Sequence, residues 1–438
     1  MSATRDRLPA LGEQPGEIVL QSPPMLPKGS SGGAMQLLMF MPMMLGMGAM
    51  SFVYIGRDGG VMTYIFGALF LTAMAGMVVM SLGRGGAAKK AQINEERRDY
   101  QRYLTGLRGQ VRDIADSQRA AMTALQPDPA DLWAYVETGR LWDRRRSDAH
   151  FGQVRVGTGP QRLATPLKAP QTVPLEDLDP VCSTNLKHFI RTYSTVDGLP
   201  VAVSLRSFAQ VMLSGRRPDT LGTARALLTQ LATFHSPGDL RIALCVKDDR
   251  LHDWEWAKWL PHVASTAADA AGPRRLVDAD SGKLADLLGP DLGDRLAFTR
   301  RPESRLDLPQ VVVIVDGGHT LGDSRLVAEE GRLGVTVVEI GTEQPRSVSS
   351  ERLLSLHLSP EQLGMVVGDG TEQRLGFLGT PDTLDRGAAE ALARMLTPLF
   401  QGAAVVSEAP MSATFGLAGL LGIGDPRDTD TAVTWAPR

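Results

Sequence analysis

Between an apolar run ending at Leu213 and a helical pattern beginning at Gly222, the chain reads Ser214-Gly215-Arg216-Arg217-Pro218-Asp219-Thr220-Leu221-Gly222-Thr223-Ala224. A glycine-rich turn between a strand and a helix aims backbone N–H groups at a phosphate. A working phosphate loop has four residues between its glycines, then a lysine to neutralise phosphate charge and a hydroxyl to hold magnesium. Here six residues separate Gly215 from Gly222, Thr223 stands at the lysine position and Ala224 at the hydroxyl position. The second requirement is an acid ending a buried strand, and Val311-Val312-Val313-Ile314-Val315-Asp316 supplies one. Gly317 follows it, where a hydrolytic site places a glutamate to polarise water. Gly215, Gly222, Thr223 and Asp316 are therefore expected at degenerate nucleotide-site positions, with no catalytic residue and no metal ligand set among them.

Other groupings carry less. Gly29-Ser30-Ser31-Gly32-Gly33 fits G-x-S-x-G but lies in a Pro/Gly/Ser-rich linker, not on a strand-to-helix elbow. The seven histidines show neither H-E-x-x-H nor Cys/His ligand spacing, and Cys182 and Cys245 cannot build a disulfide framework. Trp254, Trp256, Trp259, Pro261 and His262 read first as an aromatic face packed on a sheet and second as a ligand surface. Arg144-Arg145-Arg146, flanked by Asp143 and Asp148, reads as a solvated surface turn, with contact to anionic lipid as the other reading.

The elements that must hold these residues follow from hydrophobic periodicity. Strands are expected at 154–156, 201–205, 210–213, 240–246, 311–315 and 335–340, and helices at 222–234, 324–330 and 387–400. Strands built of unbroken apolar residues are buried on both faces, which implies a mostly parallel sheet. Ahead of them, residues 87–126 form a long helix whose Tyr100, Leu104, Leu107, Val111, Ile114, Gln118, Ala121 and Leu125 share one face. That face is expected to meet a partner, with packing on the same chain as the alternative. Pro127 and Pro129 end the helix.

Composition is ordinary for a folded protein: 438 residues, 43% hydrophobic, 22% charged, net charge −3. It excludes a largely disordered chain and argues against a dedicated nucleic-acid binder, which carries a basic excess. The average conceals one anomaly, because 11 of the 18 methionines fall between Met35 and Met80. Ala34–Ile55 and Val61–Leu82 contain no charged residue, and each is 22 residues long, about 33 Å as a helix. That length spans about 30 Å of hydrocarbon, so a transmembrane hairpin is expected. Arg84, Lys89, Lys90, Arg97 and Arg98 after the second run place both ends in the cytoplasm. Pro42 is expected to kink the first span.

Several sequence blocks together resemble a known family. They are Glu17-Ile18-Val19-Leu20-Gln21-Ser22-Pro23-Pro24, the hairpin, Arg98-Asp99-Tyr100, and Leu141-Trp142-Asp143-Arg144. Phe151-Gly152-Gln153-Val154-Arg155-Val156-Gly157 and Asp253-Trp254-Glu255-Trp256-Ala257-Lys258-Trp259-Leu260-Pro261-His262 complete the set. The whole resembles the amino-terminal part of the EccC family, the membrane-anchored FtsK/SpoIIIE-type ATPases of actinobacterial type VII secretion. The resemblance implies an α/β chain: a cytoplasmic segment and linker (1–33), a two-span transmembrane hairpin (34–82), a helical stalk (83–126) and a P-loop-NTPase-like, mostly parallel sheet domain (127–438) with a degenerate nucleotide loop. It further implies an inner-membrane location and motor domains beyond this chain that use ATP and magnesium. The implied partners are other membrane components of the secretion machine (EccB, EccD and EccE types), further copies of the chain in a higher oligomer, and the lipid bilayer, with no nucleic acid. The expected role is an anchor and coupling module. The alternatives are an active but atypical nucleotidase, with Arg216 or Arg217 replacing the lysine, and part of an FtsK-like DNA translocase.

Overall fold

The computed structural model describes residues 16–25, 61–170, 177–269, 272–300, 308–320, 325–341, 352–368 and 374–400. Two compact units divide the chain. One comprises 1–127, 157–201 and 378–380; the other comprises 128–156, 202–377 and 381–438.

The first unit is organised around helix α1, Val61–Leu125. Residues 61–82 form its first 22 positions, whereas the other expected span, 34–55 with Pro42, lies outside the described residues. Among the described residues no helix is long and apolar enough to cross a membrane, so the hairpin rests on the sequence alone. The expected seam is real, but its cover comes from this chain. Tyr100, Leu104, Leu107 and Val111 are buried with Leu20, Leu163, Cys182, Leu186, Phe189, Val196 and Leu199. Helix α2, Pro180–Tyr193, supplies three of these apolar partners, and the expectation of a partner-facing seam is corrected accordingly. The physical reason is that the amphipathic face of α2 and the segment at Leu20 provide enough apolar surface to cover the stripe on α1.

Two polar devices fix that packing. Asp179 caps α2 by accepting from the Cys182 N–H at 3.0 Å, and it also receives Arg97 Nη2 at 2.6 Å and Arg97 Nε at 3.1 Å. The hydrogen bond from Arg97 holds the Asp179 carboxyl below the usual carboxylate range despite its burial. Ile18–Val19 pairs in parallel with Leu167–Lys168, and the Tyr100 hydroxyl donates to the Gln21 carbonyl at 3.0 Å.

The second unit is the α/β layer expected from the apolar runs. In chain order it contains β1 Gln210–Gly215, α3 Arg217–Phe234, β2 Leu240–Val246, β3 Val277–Asp278 and α4 Ser281–Leu288. β4 Gln310–Asp316, β5 Val335–Ile340, β6 Leu353–Leu358, β7 Leu363–Val367 and α5 Arg386–Leu396 follow. The strands lie in the order β7-β6-β1-β5-β4-β2-β3, all parallel except the β6–β7 pair. Every residue of β4 and β5 is buried; the apolar run 311–315 of β4 requires it, while β5 also buries Thr336 and Glu339, which bond to Leu205 O and Gln210 Nε2. α3 is buried almost all round, with Arg225 its one non-buried residue after Asp219.

Two local expectations change. The helix expected at 324–330 is absent: residues 325–330 are turns and bends. Here the backbone is drawn to a neighbouring segment, with Phe298 N–H donating to Gly331 O and Leu333 N–H to Leu296 O. Arg144 is not on a solvated turn. It is 4% exposed, its guanidinium lies 4.4 Å from the Phe234 ring centroid, and Nη1 donates to Gln153 O at 2.7 Å. Burial lowers its pKa to about 10.

Candidate functional site

In a parallel sheet the chemistry gathers at the carboxyl ends of the strands. The register pairs Asp316 with Val246 and Val315 with Glu339, and Ile340 with Leu213. Asp316 at the end of β4 is thus level with Leu213 on β1, two strand spacings or about 10 Å away. The side chain that bridges this gap comes from the start of α3.

β1 ends at Gly215 and α3 begins at Arg217, so the segment between them is one residue long. The helix starts five residues earlier than the glycine pattern implies. Pro218 in its first turn favours that start, since proline has no N–H to lose there. Gly215 has φ +140°, and a Cβ built on it would stand 2.1 Å from the Leu358 carbonyl oxygen. This glycine lets β1 and β6 come together; it does not open a cradle. Gly222 and Thr223 are buried inside α3. A Cβ on Gly222 would stand 3.1 Å from Thr383 Cβ, and Thr223 Oγ1 donates to Asp382 O at 3.0 Å. Three of the four expected positions therefore sit in the packing of β1 and α3, and Asp316 stands alone among them as a charged side chain at the carboxyl end of the sheet.

Asp316 is fully buried and heavily engaged. Arg217 Nη1 and Nη2 donate to its two oxygens at 3.1 and 3.0 Å, Arg250 Nη1 donates at 2.8 Å, and Trp254 Nε1 at 2.9 Å. Arg217 Nη2 also meets Asp253 Oδ2 at 2.5 Å. Burial alone would raise the Asp316 pKa, but the hydrogen bonds from Arg217, Trp254 and Arg250 outweigh it and leave the carboxyl below its ordinary value. Arg216 turns outward to Asp219, with Nε–Oδ2 at 2.8 Å.

These residues do not fit magnesium and nucleotide. The acidic oxygens that would face the ion already carry two guanidinium groups and an indole N–H. Gly317 has φ +74°, and a Cβ there would stand 3.0 Å from Arg250 Nη1. Arginine therefore fills the space next to the position of the water-polarising glutamate. Among the described residues no group of three or more His, Cys, Asp or Glu is placed to hold a metal ion. The atypical-nucleotidase reading needed Arg216 or Arg217 free for phosphate, and each is paired to a carboxylate within its own chain.

Arg250, Asp253 and Trp254 were not foreseen as parts of this cluster. Two signals point to them in retrospect. The segment 247–254 leaves the carboxyl end of β2, the parallel neighbour of β4, and a buried tryptophan N–H needs an acceptor. Trp254 and Trp256 are 2% and 1% exposed, so the packing reading of the tryptophan cluster holds for them.

A second buried pair lies nearby in the same unit. Arg155 Nε is 2.8 Å from Asp382 Oδ2, and Arg155 Nη2 also reaches Asp128 Oδ2 at 2.9 Å. Burial pushes the Asp382 carboxyl up to about 6 against the pull of Arg155.

No family model matches the chain. Individual relatives do. The ESX secretion system protein EccC of Thermomonospora curvata is 41% identical over 428 residues, 97% of this chain and 32% of that protein. The ESX-3 secretion system protein EccC3 of Mycobacterium tuberculosis (strain CDC 1551 / Oshkosh) is 30% identical over 446 residues, 99% of this chain and 32% of that protein. Among solved structures, ATPases 2 and 3 of EssC from Geobacillus thermodenitrificans align over 62% of this chain and 53% of theirs, at 11% identity and a TM-score of 0.35. The chain is a homologue of the EccC proteins of ESX secretion systems, and it spans about a third of their length.

Proposed function

We propose that this chain is the membrane anchor and coupling module of a type VII secretion motor, and that its own ATPase-like unit does not hydrolyse nucleotide. The observation that carries the second part is the clamp on Asp316: two arginines and a tryptophan occupy the acid that would otherwise hold magnesium. The first part is supported by the two 22-residue runs without charge, the positive residues after the second, and the long helix α1 that continues from it. On this reading the chain lies in the inner membrane with both ends in the cytoplasm, assembles with other membrane components of the machine and with further copies of itself, and passes movement from motor domains that use ATP and magnesium.

Two assays test it. The purified chain should release no phosphate from ATP above a blank; hydrolysis that disappears in Asp316→Asn would overturn the non-hydrolytic reading. After expression in bacterial cells, the chain should stay in the membrane pellet through alkaline carbonate extraction. Release into the supernatant would overturn the anchor.

A further inference from the structure

The tryptophan segment does more than close the site. Downstream of Trp254, the turn Glu255–Trp259 lies against α5. Thr397 Oγ1, just beyond α5, donates to the Trp259 carbonyl at 2.6 Å. The Arg394 guanidinium stands 4.8 Å from the Trp259 ring centroid, and Arg386 Nη2 is 3.7 Å from Glu255 Oε2. One line of contacts thus runs from Asp316 through Trp254 to both ends of α5.

A second line starts at the other partner of the same ion pair. Arg217 opens α3, and one turn later Gly222 O accepts from Leu384 N–H at 3.0 Å while Thr223 Oγ1 donates to Asp382 O. Both lines leave the Arg217–Asp316 pair and arrive on residues 382–397, the segment that carries α5. Close-packed interiors transmit strain, and chains of packed and hydrogen-bonded side chains are one route by which two positions can be coupled.

We infer that Trp254 is a positioning residue that ties the Asp316 clamp to α5, so that a displacement of Asp316 or Arg217 shifts this helix. The inference rests on the coupling role proposed above and names the route through which that role operates. Phenylalanine at 254 keeps an aromatic ring in the core and removes the N–H donor. Valine at 397 keeps the shape and removes the hydroxyl donor at the far end.

The test is amide hydrogen exchange read by mass spectrometry on the whole chain in detergent micelles. Trp254→Phe is expected to speed exchange in 386–396 by about tenfold, the scale of one lost hydrogen bond to a buried charge, while 353–358 in β6 stays protected. Thr397→Val is expected to speed exchange in 254–260 without changing β6, and the double variant should add little to the larger single effect. Unchanged exchange in 386–396, or an equal rise in 386–396 and in β6, would overturn the inference. If Trp254→Phe does not fold, Thr397→Val decides alone, and unchanged exchange in 254–260 overturns it. Binding of magnesium and ATP by the unmodified chain would refute the closed-site reading but leave this comparison readable, so the two failures are separable.

Discussion

Replacing Asp316 with alanine is the most informative single perturbation, because it removes a fully buried carboxylate that accepts four hydrogen bonds. A hydrogen bond to a charged group contributes about 1.5–3 kcal/mol when both partners are shielded. Arg217 and Arg250 are 39% and 40% exposed, so water replaces much of what they lose, and their share falls to about 1 kcal/mol each at most. Trp254 has no such recourse: its buried N–H would be left without an acceptor, which costs about 1–3 kcal/mol. The total for Asp316→Ala is about 1–5 kcal/mol, with about 3 kcal/mol as the central value. Asp316→Asn retains one carbonyl acceptor and loses the charge, so about half that loss is expected. Equilibrium unfolding in guanidinium, followed by intrinsic tryptophan fluorescence, measures both variants against the parent. A loss below about 1 kcal/mol for the alanine variant, or no gap between the two variants, would refute the clamp as a stabilising element. The sign with pH is also fixed. The Asp316 pKa is depressed, so its contribution is present above the unfolded value near 3.9 and is lost only as pH falls through the lower folded value.

Three further outcomes follow from the geometry. Gly215→Ala should cost about 2–6 kcal/mol in thermal unfolding, from strain at a φ of +140° and from a new Cβ 2.1 Å from Leu358 O, each about 1–3 kcal/mol. Asp382, raised to about 6, favours folding below pH 4, and that contribution is lost as pH rises through 6, by about 3 kcal/mol; Asp382→Asn should flatten this part of the stability–pH curve. Asp179→Ala removes a helix cap and the Arg97 contact together, and should lower stability by about 2 kcal/mol and speed exchange in 180–193 before the parallel sheet is affected.

The parts of the fold that were legible in the sequence are those where periodicity and burial agree. β2, β4 and β5 match their expected ranges because most of their positions are Val, Ile, Leu, Ala or Cys, with Arg241, Thr336 and Glu339 as the polar residues inside the runs. The seam on α1 was legible as a stripe, yet its cover was not, because periodicity shows which face is apolar and not what meets it. The start of α3 was misplaced because Gly222 reads locally as a loop residue. In the structure it is a packing glycine against Thr383, a contact between positions 161 residues apart (383 − 222). The departures from a phosphate-loop pattern were visible in the residue types. The arginine clamp on Asp316 was not, since Arg217 and the pair Arg250 and Trp254 reach it from two segments far from it in sequence.

The proposal that the nucleotide address in this unit is closed by its own side chains rests on the contacts to Asp316. Calorimetric titration of the purified chain with ATP and magnesium tests it most directly. A closed site gives no saturable heat beyond dilution, for the parent and for Asp316→Asn alike. Saturable binding by the parent that is lost in Asp316→Asn would contradict it.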